Sequence, residues 1–187
     1  KLGWITPRII SRTDTVKIVA PHVVSDLPQI IKIPISATEY FLLENRISRL
    51  NLFGRKPAIQ FSGEGNSGVW LSVDDYDAFI PGSGILIWHI DDTVIQASND
   101  QLAINSHSSY RISTAQYRRG ISLEEADGLQ DIGNVLASRV IQDGVLSFSD
   151  IEGSPVDPFY VGNTTKFGPA TNPNTNSNLS YPSGITI

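Results

Sequence analysis

Cysteine is absent from the 187 residues, which excludes disulfides and thiolate metal sites without naming a compartment. Methionine is absent too, even at position 1. The opening KLGWITPRI lacks the form of a signal peptide, and the closing SGITI reads as a strand stopped midway. These ends lead us to expect a fragment of a longer protein. No run of about 18 apolar residues occurs, so no membrane-spanning helix is expected. Basic clusters are missing as well: the densest is Arg118-Arg119, in a chain with 14 Lys/Arg, 19 Asp/Glu and a net charge of −5. A phosphate backbone would find little to hold, and nucleic acid is not expected as a partner.

What is present is a chain long enough for one domain, with apolar residues (40%) spread along most of its length to build a core. Short alternating or all-apolar runs, separated by Gly, Pro, Asn and Ser, predict a mainly β fold. We expect an antiparallel or mixed sheet, one or two short helices and long irregular loops. Candidate strands are 15–20, 30–35, 39–45, 57–61, 68–73, 84–90, 119–124 and 184–187. Pro34 marks an edge strand or a strand end. EYFLLEN (39–45) and GILIWHI (84–90) are nearly continuous apolar runs, the pattern of central strands covered on both faces. The spacing of Leu129, Ile132, Val135 and Leu136 predicts a helix over 128–139, weakened by Gly133. A helical turn is expected near 92–97. Residues 57–76 read as an inserted hairpin around SGEGNS (62–67). The stretch 162–183 is a long irregular loop with little to bury, of a length that is usually functional or pinned, for example by a metal ion.

Carboxylates gather at loop edges, where converging oxygen ligands suit Ca²⁺. Candidate ligands are Asp91, Asp92, Asn99, Glu125, Asp127 and Asp157, drawn from several loop edges and not assigned to a single site. None forms an EF-hand loop, and acidic residues also simply solvate turns. A glycosidase acid–base pair would need a selected pair of carboxylates, and the sequence offers many without selecting one. An exposed aromatic face beside such a pair would mark a carbohydrate site, and Trp70 is the residue to inspect. His22, His89 and His107 form no H-E-x-x-H motif, so a self-contained catalytic zinc site is not supported. Ser83 in PGSGI precedes its strand, whereas a nucleophile elbow follows one. Gly82 and Gly84 read as a turn.

Several segments, read in order, resemble one family: LGWI (2–5), EYFLLENR (39–46), IPGSGILIWHIDD (80–92), ISLEEADG (121–128), DPF (157–159) and SGITI (183–187). The series is similar to the C-terminal part of the catalytic region in immune-inhibitor-A-like secreted zinc metallopeptidases. The resemblance implies an extracellular location, a zinc-binding H-E-x-x-H helix upstream of Lys1, and that upstream part as partner. It also implies a peptide or protein substrate. Zinc ligands and the catalytic glutamate are carried by no residue here, so no catalytic residue is assigned. The G-D half of the family's late acidic loop is not clear around Asp157.

The expectation is thus a non-zinc-binding part that supports the substrate cleft and structural calcium and is inactive alone. The alternative is a calcium-stabilised β module, structural or adhesive, without catalysis. Glu44, Arg46, His89 and Asp91, at the polar ends of two central strands, are expected to form one polar cluster.

Overall fold

The two longest apolar runs of the sequence become its two longest strands. The computed structural model describes residues 5–48, 57–62, 70–75, 77, 80–97, 104–105, 118–132, 135–136, 141–142, 145–146, 149–150 and 153–187. In chain order the main strands are β1 (Arg8–Ile9), β2 (Ile30–Pro34), β3 (Glu39–Arg46), β4 (Ile59–Phe61), β5 (Trp70–Val73), β6 (Gly84–Asp91) and β7 (Ile121–Glu124). One short helix, α1 (Asp92–Ala97), follows β6 directly. Four two-residue strands follow among the described residues: β8 (Val135–Leu136), β9 (Ile141–Gln142), β10 (Val145–Leu146) and β11 (Ser149–Asp150). Among the described residues no helix is long and apolar enough to cross a membrane.

The principal sheet has the order β1-β2-β3-β6-β7, with β1 parallel to β2 and every other pair antiparallel. The fold is therefore mainly β with a mixed sheet. β3 and β6 sit inside the sheet, as their unbroken apolar runs require. Pro34 lies at the end of β2, beyond the two residues that β1 pairs, so its missing N–H breaks no ladder. β4 and β5 form an antiparallel hairpin within 57–76.

The pleat sorts the central strands into two faces. Phe41, Leu43 and Ile87 point one way with Ile31, and Ala126, Phe159 and Phe167 cover them. Phe41 is 0% exposed, and the Phe167 ring meets it edge-on at 5.2 Å. On the opposite face the Trp88 indole N–H donates to Glu44 at 2.9 Å.

One detail of this sheet builds the site below. β7 stops pairing with β6 at Glu124, opposite Ile87, and Phe159 takes the next place along that edge, with two backbone bonds of 2.9 Å to Ile85. Gly84 is needed there, because a Cβ would lie 2.7 Å from the Phe159 carbonyl oxygen. The chain leaving β7 and the chain arriving at Phe159 are thereby forced together, and the Ala126 amide donates to the Asp157 carbonyl at 2.8 Å.

The tail 162–183 is irregular, as its composition predicts, but it does bury something: Phe167 is 1% exposed. Side-chain hydrogen bonds pin it. Asn163 Nδ2 donates to the carbonyls of Val156 and Pro158, Thr164 Oγ1 to that of Ala126, and Thr175 Oγ1 to that of Ile185. Asn and Thr side chains thus take over the pairing that a ladder would supply.

Three expectations are corrected. The described residues of 128–139 form no helix: Gly128 and Gln130 have φ of 81° and 54°, and Val135 and Leu136 form β8, paired with β11. Left-handed residues at the start outweigh the apolar spacing. Residues 15–20 keep a strand's alternation but join no sheet, and 184–187 make ladder-like bonds only at Ile187, with Phe167. Trp4, Asn99, His107 and most of 46–56 and 62–67 lie outside the described residues, as does the Trp70 side chain.

Candidate metal centre

Where the chain leaves β7 and returns at Phe159, Glu125, Asp127 and Asp157 converge. Each offers one oxygen, and the three oxygens lie within 4.8 Å of one another. Glu125 is 2% exposed and accepts the amide N–H groups of Asp131 (2.8 Å) and Ile132 (3.1 Å). Asp157, also buried, accepts the Ser154 hydroxyl at 2.7 Å together with the Ser154 amide. Asp127 accepts the Leu129 amide at 3.0 Å. Gly128 sets the loop that brings Asp127 round, its positive φ excluding most side chains.

Three carboxylates this close repel one another. Burial pushes the Glu125 carboxyl above its ordinary range. The amides of Asp131 and Ile132 pull it back only in part, and Asp157 and Asp131 add to the rise. Among the described residues no lysine or arginine pairs with any of the three, and no basic side chain neutralises the cluster. Its donors are all oxygen, a set that suits a hard cation such as Ca²⁺ and lacks the nitrogen or sulfur that zinc prefers.

The other metal candidates do not join this group. Asp91 is fully buried and paired with Arg118, and also accepts from Asn178 Nδ2 at 3.0 Å. Asp92 opens α1 and accepts from the Tyr40 hydroxyl at 3.4 Å. Both are engaged inside the protein.

The expected polar cluster of Glu44, Arg46, His89 and Asp91 is split in two. β3 and β6 are antiparallel, so Glu44 and Arg46 stand opposite Leu86 and Gly84, at the far end from His89 and Asp91 and on the other face. Arg46 binds Asp77 at 2.9 Å through Nε and Glu44 at 3.3 Å. His89, 5% exposed, lies between Glu124 (Nδ1, 3.1 Å) and Glu39 (Nε2, 2.9 Å). A neutral ring could donate to only one carboxylate; the protonated ring donates to both. Burial opposes the charge, but Glu124 and then Glu39 outweigh it and raise the His89 pKa to about 9. His89 is therefore a structural cation.

Sequence reasoning missed Glu39, Glu124, Arg118 and Asn178. The pleat could have found Glu39, which shares a strand face with Phe41 and so with His89. Asn178 fastens the tail to this network: its amide N–H donates to Glu39, and its Nδ2 to Asp91 and to the Arg119 carbonyl at 3.1 Å. Asn178→Ala is expected to cost about 1 kcal/mol in urea denaturation by removing the two Nδ2 hydrogen bonds, while Asp91 keeps Arg118. Ser83 Oγ accepts the Ser48 amide at 2.9 Å, a turn role.

Comparison with known proteins matches nothing: no family model, no curated protein and no solved structure.

Proposed function

We propose that this chain is a calcium-stabilised, β-rich, non-zinc-binding part of a secreted metallopeptidase-like protein. On this reading it holds its loops in place beside a substrate cleft and does no catalysis alone. One observation carries the reading: E-A-D-G and D-P-F, two motifs of the resemblance, meet at a single oxygen-lined point through Glu125, Asp127 and Asp157. A bound Ca²⁺ would neutralise the three carboxylates and tie the exit of β7 to the segment that leads into Phe159 and the core. The peptidase's zinc and catalytic glutamate would come from the partner segment upstream of Lys1. Peptide or protein is the substrate of the whole.

A β module with a structural or adhesive role, without catalysis, is the second reading. The histidines favour it: His89 is locked between two glutamates, and His22 stands exposed. An H-E-x-x-H helix upstream of Lys1 decides for the peptidase; a degraded motif there decides for the module.

Thermal melting tests the cation. Millimolar Ca²⁺ is expected to raise the melting temperature relative to chelator, since binding at 100 times Kd adds about 2.7 kcal/mol. An unchanged melting temperature would reject structural calcium. The pH dependence has a defined sign. A raised Glu125 pKa favours the protonated form in the fold, a contribution complete below the unfolded pKa and lost as pH rises through the folded one. Calcium competes with that proton, so its stabilising shift is expected to fade on acidification.

A further inference from the structure

One segment of the fold has the pattern of a strand and none of its hydrogen bonds. In 15–18, Val16 and Ile18 pack toward the core while Thr15 and Lys17 face solvent. Yet the backbone amides and carbonyls of Val16, Lys17 and Ile18 bond to nothing among the described residues. A second segment does the same. Ile187 engages Phe167 through both its amide and carbonyl (2.8 and 2.9 Å), but the backbone groups of Thr186 beside it are unpaired among the described residues.

Both segments line one cavity of about 750 Å³, with Ile31, Ile33 and Leu43 of the sheet among its walls. Among the described residues no aromatic side chain lines it, and branched aliphatic residues dominate its apolar part. The rim adds a charge. Asp14 is held by Arg8 at 2.8 Å, whereas Arg12 is exposed and has no partner among the described residues. The uncancelled charge at the cavity is therefore positive.

We propose that this slot receives an extended segment of a partner polypeptide, added as a β-strand. Its backbone pairs with the open groups of 16–18 and of Thr186. Alternate branched aliphatic side chains enter the cavity, and a carboxylate meets Arg12. Unpaired backbone edges are templates for strand addition, and apolar pockets for alternate residues set its specificity. A free acyl chain would fill the apolar volume but leave both rows of backbone groups unmet.

The test is fluorescence anisotropy on the full chain with a labelled heptapeptide of alternating valine and threonine ending in aspartate. Binding is expected. N-methylation at alternate residues removes two or more hydrogen bonds and is expected to weaken it more than about tenfold. Arg12→Glu, at an exposed position, is expected to weaken it about fivefold. Absence of binding, or equal binding of the N-methylated peptide, would overturn the proposal. So would a dimer in sedimentation that the peptide does not dissolve, which would give the slot to a second copy.

Discussion

His89→Leu is expected to destabilise the protein by about 3–5 kcal/mol, because it leaves Glu39 and Glu124 buried without their shared cation. The loss is the cost of two unpaired carboxylates in the interior, and it exceeds the small gain from an apolar side chain beside Phe41. The same network fixes the alkaline limit of the fold. A His89 pKa of about 9, raised from 6.5, contributes stability that is complete below pH 6.5 and is lost as pH rises through about 9. That shift corresponds to roughly 3 kcal/mol. Urea denaturation from pH 6 to 10 should show a falling stability in the parent chain and a flatter profile in the leucine variant. Parallel profiles would mean that His89 is not the group that titrates.

Phe167→Ala has an expected cost of similar size, about 3–5 kcal/mol, with the same measurement. Phe167 comes from the Asn/Thr-rich tail, yet its ring contacts both Phe41 and Phe159 in the core. Its backbone also pairs with Ile187. Removing the ring opens a cavity where the tail, β3 and the Phe159 segment meet. Leu179→Ala in the same tail should change stability by less than about 0.5 kcal/mol, since Leu179 is largely exposed. Equal effects at the two positions would show that the tail is not docked through Phe167.

These two residues mark where the sequence was readable and where it was not. Strands β3 and β6 were legible because their apolar runs are long and nothing else competes with them. The helix expected over 128–139 failed because its apolar spacing was real but Gly128 and Gln130 had already turned the backbone left-handed. Phe167 was hidden in a polar stretch, where one aromatic residue carries no periodicity. At the sites, Glu125, Asp127 and Asp157 stood among the candidate ligands with Asp91, Asp92 and Asn99, and nothing local drew the three together. What sorts them is strand order: Asp91 meets Arg118, while Phe159 takes the place beside β6 that β7 vacates and brings Asp157 to Glu125. The polar cluster was misassembled for the same reason. Strand direction, which no single strand reveals, sends Glu44 and His89 to opposite ends.

The central claim is that the three carboxylates hold a calcium ion. Calorimetric titration of Ca²⁺ into the parent chain and into Asp127→Asn tests it most directly, because asparagine keeps the hydrogen bond to the Leu129 amide and removes only the charge. The account predicts one equivalent bound by the parent and a binding weakened more than about tenfold in the variant. No binding by the parent chain, or equal binding by both, would contradict it.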